Sequence, residues 1–351
     1  MEFLRLLRLA LEKGSTDVIV TAGSPVFLRV RGELVPEGSP LTPEQVADLV
    51  FSLMTERQQA RFEEARELDF ALGFPGLGRF RFNAYYTRGY PALVARPVPP
   101  EPRPLEELGL PENLPTLLAH RAGLLLVAGP AGSGKSTTLA GMVRHINESR
   151  AAHIITIEDP IEYLHSPRRG TVSQREVGTD AKSFASALRS ALRQSPDVIV
   201  IGEVRDGETA STMLVATETG HLVLASLHAH TAPETVDRLL SLFPEEGREK
   251  ARHSLAQNLL GVLVQQLVPS LSQEGHILAY EMMVASPAVR SLIREGKTHQ
   301  IRHHMVGEGM ATMEETLVRL LRMGKISLEE ASLRAPDRRE LLWRLNGVRP
   351  A

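Results

Sequence analysis

The sequence predicts an α/β protein: a small N-terminal α+β domain, a proline-rich linker, then a core of alternating strands and helices that ends in a helical C-terminal region. Three observations carry that prediction. Residues 79–85 alternate polar and apolar side chains, the period of a half-buried strand. Seven prolines stand from Arg96 to Pro115, too many for a continuous helix or a central strand. Beyond them short apolar runs alternate with helical segments, the pattern of a parallel sheet covered by helices on both faces. The 351 residues suffice for two or three domains. A net charge of −2 provides no global positive field for nucleic acid or an anionic membrane. Hydrophobic residues at 42% and charged residues at 23% exclude a largely disordered chain.

Residues 1–13 read as a helix with Phe3, Leu4, Leu7 and Leu11 near one stripe. Val18–Val20 and Val26–Gly32 read as short strands around the Gly23-Ser24-Pro25 turn. Thr42 before Pro43 caps a helix expected to run to about Arg66. In the alternating strand, Phe80, Phe82 and Ala84 share one face, and Arg79, Arg81 and Asn83 the other. The prolines at 97, 99, 100, 102, 104, 111 and 115 set the linker at 97–115, leaving 1–96 as the first domain. In the core, 116–281, the expected strands are Leu124–Ala128, Ile154–Ile157, Val198–Ile201 and Leu222–Ala225, with helices at Lys135–Glu148 and Lys182–Gln194. The remainder, 282–351, reads as mostly helical. No apolar run approaches the roughly 18 residues of a spanning helix. The opening MEFLRLLRLALEKG alternates leucine and arginine in helical rhythm where a signal peptide would have an apolar core, so a cytoplasmic location is expected. The absence of cysteine removes disulfides, thiolate zinc sites and cysteine nucleophiles.

Gly129-Pro130-Ala131-Gly132-Ser133-Gly134-Lys135-Ser136 matches G-x-x-x-x-G-K-[ST], with an apolar strand before it and, from Thr137, a helix after it. Glycines let backbone N–H groups and the helix N-terminus face a phosphate, Lys135 reaches the β/γ oxygens, and Ser136 offers a hydroxyl to Mg²⁺. ATP and Mg²⁺ are the expected ligands. A second metal-side group is expected at the end of another strand, and Glu203 after Val198–Ile201 supplies it, although a buried strand also commonly ends in an acidic loop. Glu158-Asp159-Pro160-Ile161-Glu162 places three carboxylates at a strand end, candidates for orienting or deprotonating the attacking water; a solvated acidic turn is the alternative. His228, closing the strand after His221, is a candidate γ-phosphate sensor, and His221 either contacts nucleotide or packs in the core. His299, His303 and His304 are spaced poorly for one helix face and read as surface residues.

GPAGSGKST, the acidic box TIEDPIEYLH at 156–165, the strand SPDVIVIGEVRD at 195–206 and the histidine box TGHLVLASLHAHTA at 219–232 occur in an order and spacing that resemble the secretion ATPases of the type II and type IV pilus systems. Ala288–Glu295 (AVRSLIRE) is similar to the AIRNLIRE motif of the PilT-type retraction branch, with Val289 and Ser291 in place of an Ile and an Asn. Gly309–Met313 (GMATM) is similar to that branch's GMQTM. The resemblance implies a PAS-like N-terminal domain joined to a RecA-like core, in a hexameric ring with ATP at subunit boundaries. It implies Glu162 as general base, with Glu158 the second choice, and Glu203 as the metal-strand glutamate. Gly202 stands where most phosphate-loop enzymes carry Asp. It also implies that arginines of the N-terminal domain, here Arg81 and Arg96, reach the phosphates, and that one domain rotates against the other during turnover. The implied partner is an inner-membrane platform protein, the output pilus retraction for twitching and DNA uptake, with no direct nucleic-acid contact.

Two rivals remain. Assembly-type pilus or secretion ATPases usually have a long N-terminal extension and often a four-cysteine zinc module, whereas this sequence opens on the PAS-like region and lacks cysteine. A RecA-type nucleic-acid motor would line its pore with Arg or Lys and leaves the histidine box unexplained.

Overall fold

The computed structural model describes residues 2–99, 101–272, 275–305, 307 and 309–347; Pro100 of the linker and residues 348–351 of the C-terminal region lie outside the described residues. Contacts divide the chain into two compact units, one of Met1–Glu101 with Pro160–Leu164, the other of Pro102–Asp159 with His165–Ala351.

The first unit begins with α1 (Glu2–Glu12) and continues through β1 (Asp17–Val20), β2 (Val26–Val30), β3 (Glu33–Glu37), α2 (Pro43–Ser52), α3 (Glu56–Ala65), β4 (Glu67–Phe74), β5 (Gly78–Thr87) and β6 (Tyr90–Val98). The six strands form an antiparallel sheet in the order β3-β2-β1-β6-β5-β4. In β5, Phe80, Phe82 and Ala84 are buried while Arg79, Arg81 and Asn83 are not, as the alternation requires. The helix expected from Thr42 to Arg66 is two helices. Thr55 and Gln58 form a second capping box like that of Thr42 and Gln45, and a side-chain acceptor at Thr55 ends one helix register and starts another. Pro97 lies inside β6, paired with Phe80 beyond the last β6 residue bonded to β1, where a missing N–H removes no ladder bond on that side.

The second unit takes in the proline segment from Pro102 onward. A 3₁₀ turn at Leu105–Leu108 and α4 (Leu114–Leu118) lie on the core's own surface. Arg144 donates to the Pro102 carbonyl at 2.7 Å, and a Cβ on Gly141 would meet Leu108 at 2.7 Å. Then follow β7 (Gly123–Ala128), α5 (Lys135–Ser149), β8 (His153–Glu158), β9 (Thr171–Glu176), α6 (Phe184–Ala191), β10 (Val198–Ile201), α7 (Gly207–Glu218), β11 (Leu222–Leu227), α8 (Ala232–Ser241), α9 (Glu245–Asn258), β12 (Leu259–Pro269) and β13 (His276–Val284). The sheet order is β13-β12-β7-β11-β10-β8-β9, parallel except for β13. Alternate residues of each central strand enter different cores: Leu124, Leu126 and Ala128 join one cluster, Leu125 and Val127 the other. β9, β12 and β13 are additional to the four strands read from the sequence.

The C-terminal helices are α10 (Pro287–Arg294), α11 (Met313–Arg322), α12 (Leu328–Arg334) and α13 (Arg338–Asn346), with a 3₁₀ segment at Thr298–His304. Val289, Leu292 and Ile293 are buried as the apolar stripe of α10. Arg290 lies off that stripe and is half-buried. Its Nη1 donates to the carbonyls of Ala256 and Gln257 at 2.7 and 2.6 Å, so it caps the C-terminus of α9, while Arg294 is exposed.

Candidate nucleotide site

The parallel register brings the ends of four strands to one edge of the core sheet. Ala128 of β7 pairs with Leu227 of β11, Ala225 with Ile201 of β10, and Ile201 with Ile157 of β8. The residues at or just beyond these ends therefore share one edge: Gly129, His228, Glu203 and Glu158. Ligands of open α/β sheets bind at such carboxyl edges.

The phosphate loop leaves β7 at Gly129 with φ 149°, turns at Gly132 with φ 74° and enters α5 through Gly134 with φ 88°. At Gly129 a Cβ would lie 2.4 Å from the Gln265 carbonyl and 2.5 Å from Ser133 Oγ, so no other residue fits. α5 has no side-chain cap, and its first turn contains Lys135, Ser136 and Thr137. Uncapped N–H groups and the helix dipole at that point favour an anion. Lys135 Nζ donates to the carbonyls of Gly129 and Pro130, both at 2.9 Å, and lies 3.4 Å from His228 Nδ1. Ser133 is 2% exposed and its Oγ lacks a protein partner, a buried hydroxyl inside a glycine cradle. These features fit a polyphosphate.

Glu203 is the charged hinge of the edge. Its Oε1 is 3.1 Å from His228 Nε2 and its Oε2 2.6 Å from Arg205 Nη2. Burial resists ionisation of Glu203, but the Arg205 guanidinium, with His228 and Lys135 nearby, holds its carboxyl below the usual glutamate range. Arg205 also lies 3.8 Å from Asp159. Glu158 Oε1 accepts from the Thr156 hydroxyl at 2.6 Å and from Gln174 Nε2 at 3.1 Å. Gly202 has a clear reason to lack a side chain. A Cβ there would sit 3.2 Å from the Ile157 carbonyl and 3.4 Å from Glu158 Cα.

The acidic box divides between the units. Glu158 and Asp159 belong to the core, whereas Glu162 belongs to the N-terminal unit, where its Oε1 accepts from Arg81 Nη1 at 3.2 Å. Arg96 donates to Asp17 Oδ1 from Nε at 3.0 Å and Nη2 at 2.7 Å. Burial works against the Asp17 charge, but the Arg96 bonds, with Thr16 and Arg29, leave its carboxyl below the ordinary range. Burial also pushes His165, the last residue of the box, down to about 4, so it stays neutral at physiological pH.

His221 is not brought to the loop. It precedes β11, at the amino edge of the sheet, and its Nδ1 lies 2.9 Å from the Ala216 carbonyl and 3.1 Å from Thr219 Oγ1. Six strand residues at about 3.3 Å each, roughly 20 Å, separate it from the carboxyl edge of the sheet. The structural alternative, a histidine packed at the end of α7, describes this geometry. Sequence reasoning missed Gln265, which is 1% exposed on β12 and donates to the Ser133 carbonyl at 2.8 Å, bracing the phosphate loop. A lone polar pair, Gln265-Gln266, inside an otherwise apolar run was the available signal. Arg205, Thr156 and Gln174 were missed as carboxylate partners.

A glycine cradle on an uncapped helix, faced by an ionised carboxylate and a histidine from neighbouring strand ends, is the chemistry of a P-loop ATPase. Relatives narrow that class. The chain belongs to the type II/IV secretion system protein family, whose sequence profile matches residues 92–333. It is 41% identical over 345 residues to the type IV pilus ATPase PilU of Pseudomonas aeruginosa, covering 97% of this chain and 90% of that protein. To the same organism's protein described as type IV pilus retractation ATPase PilT it is 40% identical over 342 residues, covering 95% and 98%. The crystal structure of the pilus retraction motor PilT with bound ADP matches with a TM-score of 0.91 and 44% identity, over 97% of this chain and 98% of that one.

Proposed function

We propose that this chain is the ATP-hydrolysing motor of type IV pilus retraction, working as a homohexamer at the inner face of the cytoplasmic membrane on a platform protein of the pilus machinery. The observation that supports it most is the carboxyl edge itself, Lys135, His228 and Glu203 joined across three strand ends beside the phosphate loop, in a chain alike to retraction ATPases over nearly its whole length. Among the described residues no helix is long and apolar enough to cross a membrane, which accords with a motor that acts on a membrane partner.

Gly129–Thr137 would hold the β- and γ-phosphates through backbone N–H groups, with Lys135 exchanging its loop carbonyls for phosphate oxygens. Mg²⁺ suits the oxygen donors present, Ser136 and an ionised Glu203, and would supply charge neutralisation on the phosphates. Among the described residues no group of three or more ligating side chains is preassembled, as befits an ion held largely by the nucleotide. Glu162 accepts the proton of the attacking water, with Glu158 the alternative, and His228 reports the γ-phosphate to Glu203. Arg81 and Arg96 act across subunit boundaries, which requires each to leave its present carboxylate, Glu162 or Asp17.

The test is turnover by the purified full-length chain, beside Lys135→Ala, with and without DNA. ATP hydrolysis lost in the variant and indifferent to DNA supports this reading. Equal turnover in both proteins defeats it, and strong DNA stimulation favours a nucleic-acid motor.

A further inference from the structure

Glu281, in the middle of β13, is 1% exposed, a carboxyl group inside the core far from the linker and the acidic box in sequence. Two helix N-termini converge on it. The Ala232 N–H, the first of α8, donates to Oε1 at 2.6 Å, and the Met313 N–H, the first of α11, to Oε2 at 3.4 Å. Both ends present helix dipoles to the carboxyl, an arrangement suited to a negative charge. Each helix follows a segment already singled out. α8 starts four residues after His228, and α11 starts at the last residue of Gly309–Met313, whose Ala311 forms a reciprocal backbone pair with Met282 at 2.8 and 3.0 Å.

The charges around Glu281 do not balance. The charged groups that face it among the described residues are Arg302, from the 3₁₀ segment, and Glu314 of α11. Arg302 contacts the fully buried Glu314 at 2.5 Å and Glu340 of α13 at 2.8 Å. Strand β12 brings only the apolar Val264 opposite Glu281. One guanidinium thus serves several carboxylates. Burial, eased by the Ala232 bond and Arg302 and worsened by Glu314, pushes Glu281 up to about 7.

We infer that Glu281 is a positioning residue for ATP hydrolysis: it pins the start of α8, and hence the histidine loop at 228–231, to the start of α11. The loop's other ties are to the site, through His228, or local to the start of α8: the His230 N–H donates to Glu234 at 2.8 Å, and Thr231 accepts from the Glu234 N–H and the Thr235 hydroxyl. Loosening Ala232 releases the loop that sets His228 against Glu203, while Gln265 on β12 still braces the backbone of the phosphate loop. The effect therefore falls on kcat and spares nucleotide binding. Across neutrality the Glu281 charge changes, and with it the strength of the Ala232 bond. The same junction gives the GMATM segment a role, joining the sensor loop to the C-terminal helices.

This inference rests on the chain being an ATPase, so the experiment measures kcat and KM for ATP on the full-length wild type, Glu281→Gln and Glu281→Leu from pH 6 to 9. Glu281→Leu, which loses both acceptors, is expected to lower kcat at least tenfold with KM within threefold. Glu281→Gln keeps an acceptor for Ala232 without the charge. Its kcat, divided by that of wild type, is expected to change at least threefold between pH 6 and 8.5. Where the leucine variant does not fold, the glutamine ratio decides. A ratio constant with pH, a leucine variant with kcat within twofold of wild type, or a loss confined to KM overturns the inference while leaving the ATPase reading intact. A wild type without turnover removes both.

Discussion

At the scale of single residues, Lys135 contributes a charge at the phosphate loop, where it donates to two loop carbonyls and lies beside His228. Lys135→Ala is expected to leave the thermal midpoint nearly unchanged and reduce turnover at least about a hundredfold, the scale of losing a preorganised electrostatic group. Enzyme assay and melting curve together check it. Glu162→Gln should still bind ATP and hydrolyse it slowly, because an amide cannot take the water's proton. If Glu158→Gln stalls hydrolysis while Glu162→Gln does not, the base is the core carboxylate held by Thr156 and Gln174. Glu281 also makes a prediction about stability. Its folded pKa, near 7, lies above the ordinary glutamate value of 4.5, so the native state holds a proton that the unfolded chain releases between these values. Stability from this group is present below about pH 4.5 and declines as pH rises to about 7. The difference in urea midpoint between Glu281→Gln and wild type should move in favour of the variant from pH 5 to pH 8. A constant difference would contradict the buried-charge account. At this scale the sequence was most legible where a motif fixes both residue type and backbone, as in the phosphate loop. It was least legible for Gln265 and Glu281, whose partners are 132 and 49 residues away and are brought close only by β12 and β13.

At the scale of elements, period and capping carried most of the reading. The alternation of β5 appears as expected, and the apolar stripe of α10 is buried in the same way, because each follows from local repeat and burial. The break between α2 and α3 was also written locally, in the Thr55–Gln58 capping box, and was overlooked inside a longer helical pattern. β12 and β13 were harder. A strand with Gln265-Gln266 or with Glu281 at its centre looks half-exposed until the fold supplies a buried partner for each. The two arginines of α10 now separate in role. Arg290 caps α9, so Arg290→Ala should cost about 1–2 kcal/mol of stability, the worth of a charge-assisted capping bond, read by denaturant unfolding. Arg294 is exposed, so Arg294→Ala should leave stability and basal ATPase within twofold. Pilus retraction in cells is then the readout of whether α10 couples to the pilus machinery: lost retraction supports coupling, and normal retraction removes it.

At the scale of the whole molecule, the fold explains why the ATPase chemistry was readable and the assembly less so. Parallel register alone collects Gly129, His228, Glu203 and Glu158 at one edge, so motif order along the chain translates directly into a site. Arg81 and Arg96 lie on the N-terminal sheet, each paired within its own unit, and the use proposed for them across a subunit boundary would be a property of a ring. Mixing an arginine variant, Arg81→Ala or Arg96→Ala, with Lys135→Ala should restore measurable activity, since some boundaries then pair an intact arginine with an intact loop. Arginine fingers contribute roughly 10³–10⁵ in rate, so each variant alone should be nearly inactive. Mixed rings that never exceed background would place both arginines in purely structural pairs.

The most direct measurement of the central claim is the movement of fluorescently labelled type IV pili in host cells whose only copy of this chain carries Lys135→Ala. A retraction motor without phosphate-loop chemistry should leave pili that extend and do not return, with more pili per cell than in wild type. Retraction at the wild-type frequency, or a loss of pili altogether, would contradict the account, the second by assigning the ATPase to assembly.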